Sequence, residues 1–220
     1  MVEKDKTRIL IVDDHPIFCL GLSELINREE DMLVCASEED AVKACAAIEK
    51  YAPHLAIVDV SLKDSNGIDL VKEINAKFPG LAVLVLSMYD EELYAERALA
   101  AGAKGYMMKQ EAINVVVKAI RHILSGKIYA SDEVKEKALM RFASQQEGLE
   151  LTPFDLLTER ELEVFRYIGD GLSTKQISER MKLSVKTIGT YRERIKEKLN
   201  LKHYTELIKC AVYWLDISRK

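Results

Sequence analysis

Five short runs punctuate the first half of the chain: RILIV (8–12), MLVCA (32–36), LAIVD (55–59), AVLVL (82–86) and GYMM (105–108). Each is apolar without polar alternation, the pattern of strands buried on both faces. Helical stripes separate them. Ile17, Leu20, Leu25 and Ile26 form one, interrupted by small Ser23, and Ile68, Val71, Ile74 and Phe78 form another. Leu93, Ala98 and Ala101 lie on a third, and Val116, Ile120, Ile123 and Leu124 on a fourth. Five strand–helix alternations require helices on both sides of a parallel sheet. The expected fold is an α/β doubly wound five-stranded parallel sheet, which binds ligands outside the carboxyl ends of its strands.

Those ends carry the chemistry. Asp13 and Asp14 follow the first run and Asp59 ends the third. With the first and third strands adjacent, three carboxylates converge and need a cation to offset their repulsion. Oxygen ligands without His or Cys suit Mg²⁺. Either Asp13 or Asp14 alone reads as a helix cap; a third acid at the matching end of another strand favours the metal. A carboxylate beside Mg²⁺ can also act as a nucleophile and form an acyl phosphate. Ser87 closes the fourth run and Lys109 follows the fifth, offering a hydroxyl and a cation to a phosphoryl group. Taken singly, Ser87 reads equally as a cap and Lys109 as a solvated charge; their shared placement after consecutive strands raises both.

Beyond Gly126 the pattern changes. Residues 131–147 are moderately helical, and QQEGLELTPFD (145–155) reads as a linker. The division expected is 1–128, a linker with a helix at 129–153, and 154–220. From Thr158 the chain reads as four helices. Thr158 with Glu161 forms a capping box, Ser173 and Ser184 cap the next two helices, and the last runs from Tyr204 to about Ile217. Charge divides in the same way: residues 1–130 hold 15 Lys+Arg against 21 Asp+Glu, and residues 151–220 hold 14 against 10. A basic tail suggests nucleic acid. Residues 172–201 give helix, turn and longer helix, a helix-turn-helix at about 172–191. Ile177, Met181, Val185, Ile188 and Ile195 form its inward stripe; Lys186, Thr190, Arg194 and Lys198 line the outward one. One short recognition helix reads few base pairs, so a symmetric dimer is expected. Ile208, Ala211, Val212 and Leu215 on the last helix are its candidate interface, or else close the domain core.

The first half resembles the receiver domain of two-component response regulators, through DD at 13–14, Asp59 in IVDVSL, NGIDL at 66–70, Ser87, AGAKGY at 101–106 and Lys109. KAIRHILSGKIYAS (118–131) is similar to the close of receivers of the NarL/FixJ type. LTERELEV with KQISERMKLSVKTI resembles the LuxR-type DNA-binding domain. The resemblance implies a flavodoxin-like receiver followed by a small all-α four-helix helix-turn-helix domain. It implies phosphorylation of Asp59 by a cognate sensor histidine kinase. Asp14 would ligate Mg²⁺ directly, Asp13 through water, and Ser61 through its carbonyl. Ser87 and Tyr106 would be the switch pair. Lys186, Gly189 and Thr190 match positions that commonly contact DNA, with Thr187, Arg194 and Lys198 serving phosphates. Glu193 would either read a cytosine or pair with Arg192. Double-stranded DNA, a second copy of the chain when active, and RNA polymerase are the implied partners.

Two rival readings share the sheet. A dehalogenase-type phosphatase wants a second aspartate two residues after its nucleophile, where this chain has Ser61. A flavin-binding module needs a Ser/Thr/Gly-rich phosphate loop after the first strand, where this chain has DDHP. A regulator that binds DNA without phosphorylation is disfavoured by the complete set of acids. The start, MVEKDKT, shows no signal peptide, and no apolar run reaches the ~18–20 residues of a membrane span. Cys19, Cys35, Cys45 and Cys210 are scattered without a CxxC pair, so a reducing cytoplasm is expected.

Overall fold

The computed structural model describes residues 6–62, 65–88, 91–132, 134–136 and 156–218. The expected linker at 145–155, the expected helix beyond 136 and the side chain of Leu93 lie outside the described residues. The chain divides into two compact units, Met1–Ala143 and Ser144–Lys220.

The first unit is built on strands β1 (Thr7–Val12), β2 (Met32–Glu38), β3 (Leu55–Asp59), β6 (Ala82–Ser87) and β7 (Gly105–Met108). They form one parallel sheet in the order β2-β1-β3-β6-β7. A two-residue antiparallel pair, β4 (Ser61–Leu62) and β5 (Ser65–Asn66), follows β3. The runs without polar alternation are the central strands: all five residues of β3 and the last five of β6 are buried. Helices α1 (Pro16–Asn27) and α5 (Lys109–Leu124) cover one face; α2 (Ala41–Tyr51), α3 (Gly67–Lys77) and α4 (Glu91–Ala100) cover the other. Ile9, Ile11, Leu55, Ile57, Leu84 and Leu86 alternate along the strands toward α1 and α5.

Two stripes shift from expectation. In α1 the inward residues are Cys19, Leu22 and Ile26, whereas Ile17 and Leu20 are 86% and 72% exposed. Positions 19, 22 and 26 repeat at helical spacing, and Ile17 and Leu20 fall off that face. Leu124 of α5 is likewise exposed, because Ala112, Val116, Ala119, Ile120 and Ile123 already fill the inner face.

The second unit contains α6 (Glu159–Gly169), α7 (Thr174–Arg180), α8 (Val185–Lys198) and α9 (Tyr204–Ser218). Side chains close the first three amino termini as the sequence indicates. Thr158 and Ser173 form capping boxes with Glu161 and Gln176, and Ser184 accepts from the Thr187 amide. Ile177, Met181, Ile188 and Ile195 are buried, but Val185, first in α8, is 52% exposed. On α9 the buried residues are Leu207, Ala211 and Leu215. A Cβ on Gly169 would overlap Leu215 and sit 2.9 Å from the Ala211 carbonyl oxygen, so α6 and α9 are in close contact. The proposed interface stripe therefore splits. Ala211 and Leu215 are used up inside the domain, and only Ile208 and Val212 retain exposed surface.

Among the described residues no helix is long and apolar enough to cross a membrane.

Candidate functional site

The order β2-β1-β3-β6-β7 sets four consecutive strand ends along one edge. β1 leads into Asp13, β3 ends on Asp59, β6 ends on Ser87 and β7 leads into Lys109, the first residue of α5. All four are buried. The Lys109 ammonium bridges two acids, with Nζ 2.7 Å from Asp59 Oδ2 and 2.6 Å from Asp13 Oδ2. Burial pushes the Asp59 carboxyl up to about 7. Lys109 opposes that rise, Asp13 adds to it, and the Ser61 backbone N–H, which donates to the carboxylate, opposes it.

His15 is a further member that the sequence reading passed over. Its Nδ1 lies 3.0 Å from Asp13 Oδ1 and 3.1 Å from Asp14 Oδ1, and its backbone N–H donates to Asp13 Oδ1 at 3.0 Å. Asp13, Asp14, His15 and Asp59 offer ligand atoms that all lie within 4.8 Å of one another. Three carboxylates facing one point fit a hard divalent cation. The signal for His15 was in view: it adjoins the acid pair, and Pro16 at the first turn of α1 fixes the chain there.

Gly67 shapes the pocket from behind. It opens α3 after the Asn66 cap, and its amide donates to the Val60 carbonyl at 2.7 Å. A Cβ there would overlap the Asp59 carbonyl oxygen. Only a residue without a side chain lets α3 start this close to the end of β3.

Tyr106 is buried within β7, paired with Val85 of β6 and two residue pairs from the Ser87 end. Its amide donates to the Tyr129 carbonyl at 2.9 Å, and the Tyr129 amide donates to the Lys104 carbonyl at 2.9 Å. The segment after α5 thus lies along the β7 edge. Two residues on, the Ser131 amide donates to Glu91 Oε1 of α4 at 2.9 Å.

In the second unit, Lys186, Thr187, Thr190, Tyr191 and Arg194 line one shallow cavity of about 250 Å³ on α8. Gly189 lies among them in sequence, with open space where a Cβ would be. Lys198 is set apart: its Nζ is 2.6 Å from Glu161 Oε2 of α6. Burial raises the Glu161 carboxyl pKa, but Lys198 and the Thr158 amide outweigh it and hold the group below its usual range. Glu193 pairs with Lys196 at 2.7 Å. Arg192, its other suggested partner, instead stacks over the Tyr204 ring and donates to Thr174 Oγ1 at 2.6 Å.

Residues 9–121 match the response regulator receiver domain, and residues 155–211 match the bacterial regulatory proteins of the luxR family. The chain belongs to the two-component response regulators. The regulator is 33% identical to the oxygen regulatory protein NreC of Staphylococcus epidermidis, covering 93% of this chain and 96% of that protein. It is 29% identical to the transcriptional regulatory protein DegU of Brevibacillus brevis, over 94% and 93%. RcsB of Salmonella enterica serovar Typhimurium, solved bound to promoter P1flhDC in the presence of phosphomimetic BeF3-, superimposes with a TM-score of 0.60 at 25% identity, over 94% and 98%. The regulator therefore controls transcription through a receiver and a LuxR-type DNA-binding domain. It belongs to a family of regulators and not of enzymes, and the phosphatase and flavin readings fall away.

Proposed function

We propose that the regulator is switched by phosphorylation of Asp59 and binds DNA as a homodimer when phosphorylated. The observation that carries this is the buried Lys109 ammonium shared by Asp59 and Asp13. It supplies a fixed positive charge where a phosphoryl oxygen would arrive, in a site that excludes most water. An Asp59 carboxylate oxygen attacks phosphorus, the new O–P bond forms, and the donor leaves with the electrons of its broken bond to phosphorus. Asp13, Asp14, Asp59 and the Ser61 backbone would hold Mg²⁺, which when bound offsets the negative charge of the incoming group. Ser87, at the adjacent strand end, is placed to donate its hydroxyl to a phosphoryl oxygen.

The donor is a phosphohistidine on a sensor kinase. Beside His15 runs an apolar groove of about 650 Å³, lined by residues that include Ile17, Phe18, Leu25 and Ile113. It adjoins the pocket, and an imidazole presented to Asp59 from a partner helix would bring apolar surface against it. Downstream, the Tyr106–Tyr129 and Glu91–Ser131 hydrogen bonds tie the switch strand and α4 to the chain leaving the receiver. Phosphorylation acts by favouring one of two pre-existing arrangements of these elements.

On α8, Lys186, Gly189 and Thr190 approach base edges, while Thr187 and Arg194 contact phosphates. Half-buried Ile208 and exposed Val212 are the remaining candidates for the paired copy on α9.

Incubation with radiolabelled acetyl phosphate and Mg²⁺ tests the core of this reading. Wild type should take up label in acid-labile, base-labile acyl phosphate form, Asp59→Asn none, and Asp14→Ala much less. Full labelling of Asp59→Asn would overturn the assignment.

A further inference from the structure

We propose that His15 is a ligand of the cation in the acidic pocket and biases it toward first-row transition ions over Mg²⁺. This rests on reading the pocket as a cation site and goes beyond it by adding a nitrogen to an all-oxygen set. Octahedral ligands about 2.1 Å from a metal lie roughly 3.0 Å from their neighbours. His15 Nδ1 is 3.0 Å from Asp13 Oδ1 and 3.1 Å from Asp14 Oδ1, the spacing of adjacent positions around one ion. Asp59 Oδ2, 3.8 Å away, is the oxygen held by Lys109 and is not at a neighbouring ligand's distance.

The two nitrogens of the site divide the acids between them. Lys109 takes Oδ2 of Asp13 and Oδ2 of Asp59, and an ammonium has no lone pair for a metal. His15 Nδ1 is hydrogen-bonded to Oδ1 of Asp13 and lies 3.1 Å from Oδ1 of Asp14; an ion entering between these groups displaces the bridging proton and takes the Nδ1 lone pair. The ring is not used elsewhere on α1: His15 sits at the cap position, yet its side chain makes no cap hydrogen bond. It is also 59% exposed, so it stands at the mouth through which an ion enters. Imidazole nitrogen favours ions such as Ni²⁺ and Zn²⁺ far more than it favours Mg²⁺.

The test uses the full chain with Mn²⁺ as a spin probe, and with Ni²⁺ and Mg²⁺ in binding titrations. Electron spin-echo of bound Mn²⁺ should show ¹⁴N modulation in wild type and lose it in His15→Phe, which keeps the ring size at an exposed position. The same change should weaken Ni²⁺ by about tenfold or more, since even outer-shell changes cost 10–100-fold, and move Mg²⁺ by less than about threefold. Mn²⁺ binding that is lost in Asp14→Ala but shows no ¹⁴N modulation, or a modulation that persists in His15→Phe, overturns the role of His15 and leaves the pocket intact. Mn²⁺ that does not bind, or binds regardless of Asp14→Ala, overturns the pocket reading and this inference with it.

Discussion

Asp13, Asp59, Ser87 and Lys109 come from four strand ends and are each no more than 5% exposed, whereas Lys186, Thr187, Thr190, Tyr191 and Arg194 all come from one helix and line an open cavity. The first group exists only once a parallel sheet has assembled around contacts distant in sequence. The second needs only that α8 be helical and present the right face. Burial also changes what the groups are. Asp59 is held to a carboxyl of about 7 by its surroundings, while the α8 side chains act as solvated charges and hydroxyls. A buried site answers strongly to small changes in its packing, and a surface site answers weakly and additively.

The sharpest way to break that contrast is a glycine exchange in the receiver. A Cβ at Gly67 would overlap the Asp59 carbonyl oxygen and lie 2.8 Å from its carbonyl carbon, with Val58 Cγ1 at 3.1 Å. Backbone cannot step aside cheaply there. Gly67→Ala should cut phosphate incorporation by on the order of 100-fold, the scale of a misplacement near 1 Å. It should also lower stability by about 1–3 kcal/mol. Labelling rates and denaturant melts measure both. An unaffected Gly67→Ala protein would mean the buried site tolerates movement as freely as the surface one.

Next in size is the charge held at Asp59. Folded Asp59 keeps its proton to about pH 7, whereas an unfolded aspartate releases it near ~3.9. Between those values the folded state binds more protons, so stability falls as pH rises through the window and stays low above it. Metal-free Asp59→Asn should escape this loss. It should exceed wild type at pH 8 by on the order of 1–3 kcal/mol and match it near pH 4. Mg²⁺ added to wild type should narrow the gap. Thermal melts at the two pH values check it. Charge removal on α8, as in Lys186→Ala, should stay within about 0.5 kcal/mol.

The same contrast explains what could be read before the fold was known. The strands were legible because continuous apolar runs such as LAIVD have few other fates, and Asp59, Ser87 and Lys109 followed from their place at the ends of those runs. Caps were legible too, because Thr158, Ser173 and Ser184 act on amides three residues away. Helix faces were less so. Ile17 and Leu20 are apolar yet exposed, and only the direction of α1 against the sheet decides that Cys19, Leu22 and Ile26 turn inward. Ala211 and Leu215 looked available because nothing local announces that α6 carries Gly169 opposite them. His15 was in view beside the acid pair, but its nearness to Asp59, 3.8 Å from Nδ1 to Oδ2, exists only once the sheet brings the end of β3 across.

Gly189 sharpens the comparison from the other side. Open space surrounds its missing side chain, so Gly189→Leu should fold well. It should stabilise α8 by up to about 1 kcal/mol through helix propensity. If this is the proposed base-reading surface, the added side chain should weaken operator binding by on the order of 1–3 kcal/mol, the size of one lost base contact. Melting together with mobility-shift titration separates the two effects. Normal operator binding would move Gly189 off the DNA-facing side.

The smallest effect concerns Lys198, which joins the two kinds of site. The LuxR-type resemblance implies a phosphate contact for it beside Arg194, but its ammonium is 2.6 Å from the buried Glu161 carboxylate. A lysine neutralised by its own domain releases few counterions on binding, whereas each phosphate neutralised by a free cation adds about 0.9 to the salt slope. Arg194→Ala should therefore reduce the slope by roughly 1, and Lys198→Ala by clearly less. Glu161→Gln gives the decisive comparison. Glutamine can still serve the Thr158 capping box, so α6 keeps its amino terminus while the charge is lost. Lys198 then becomes a free cation, and the slope should steepen by up to about 1. Fluorescence anisotropy of labelled operator DNA across a salt series reads all three variants. Equal losses from Arg194→Ala and Lys198→Ala, with no change in Glu161→Gln, would mean that the DNA phosphate displaces Glu161 and that both cations serve the backbone alike.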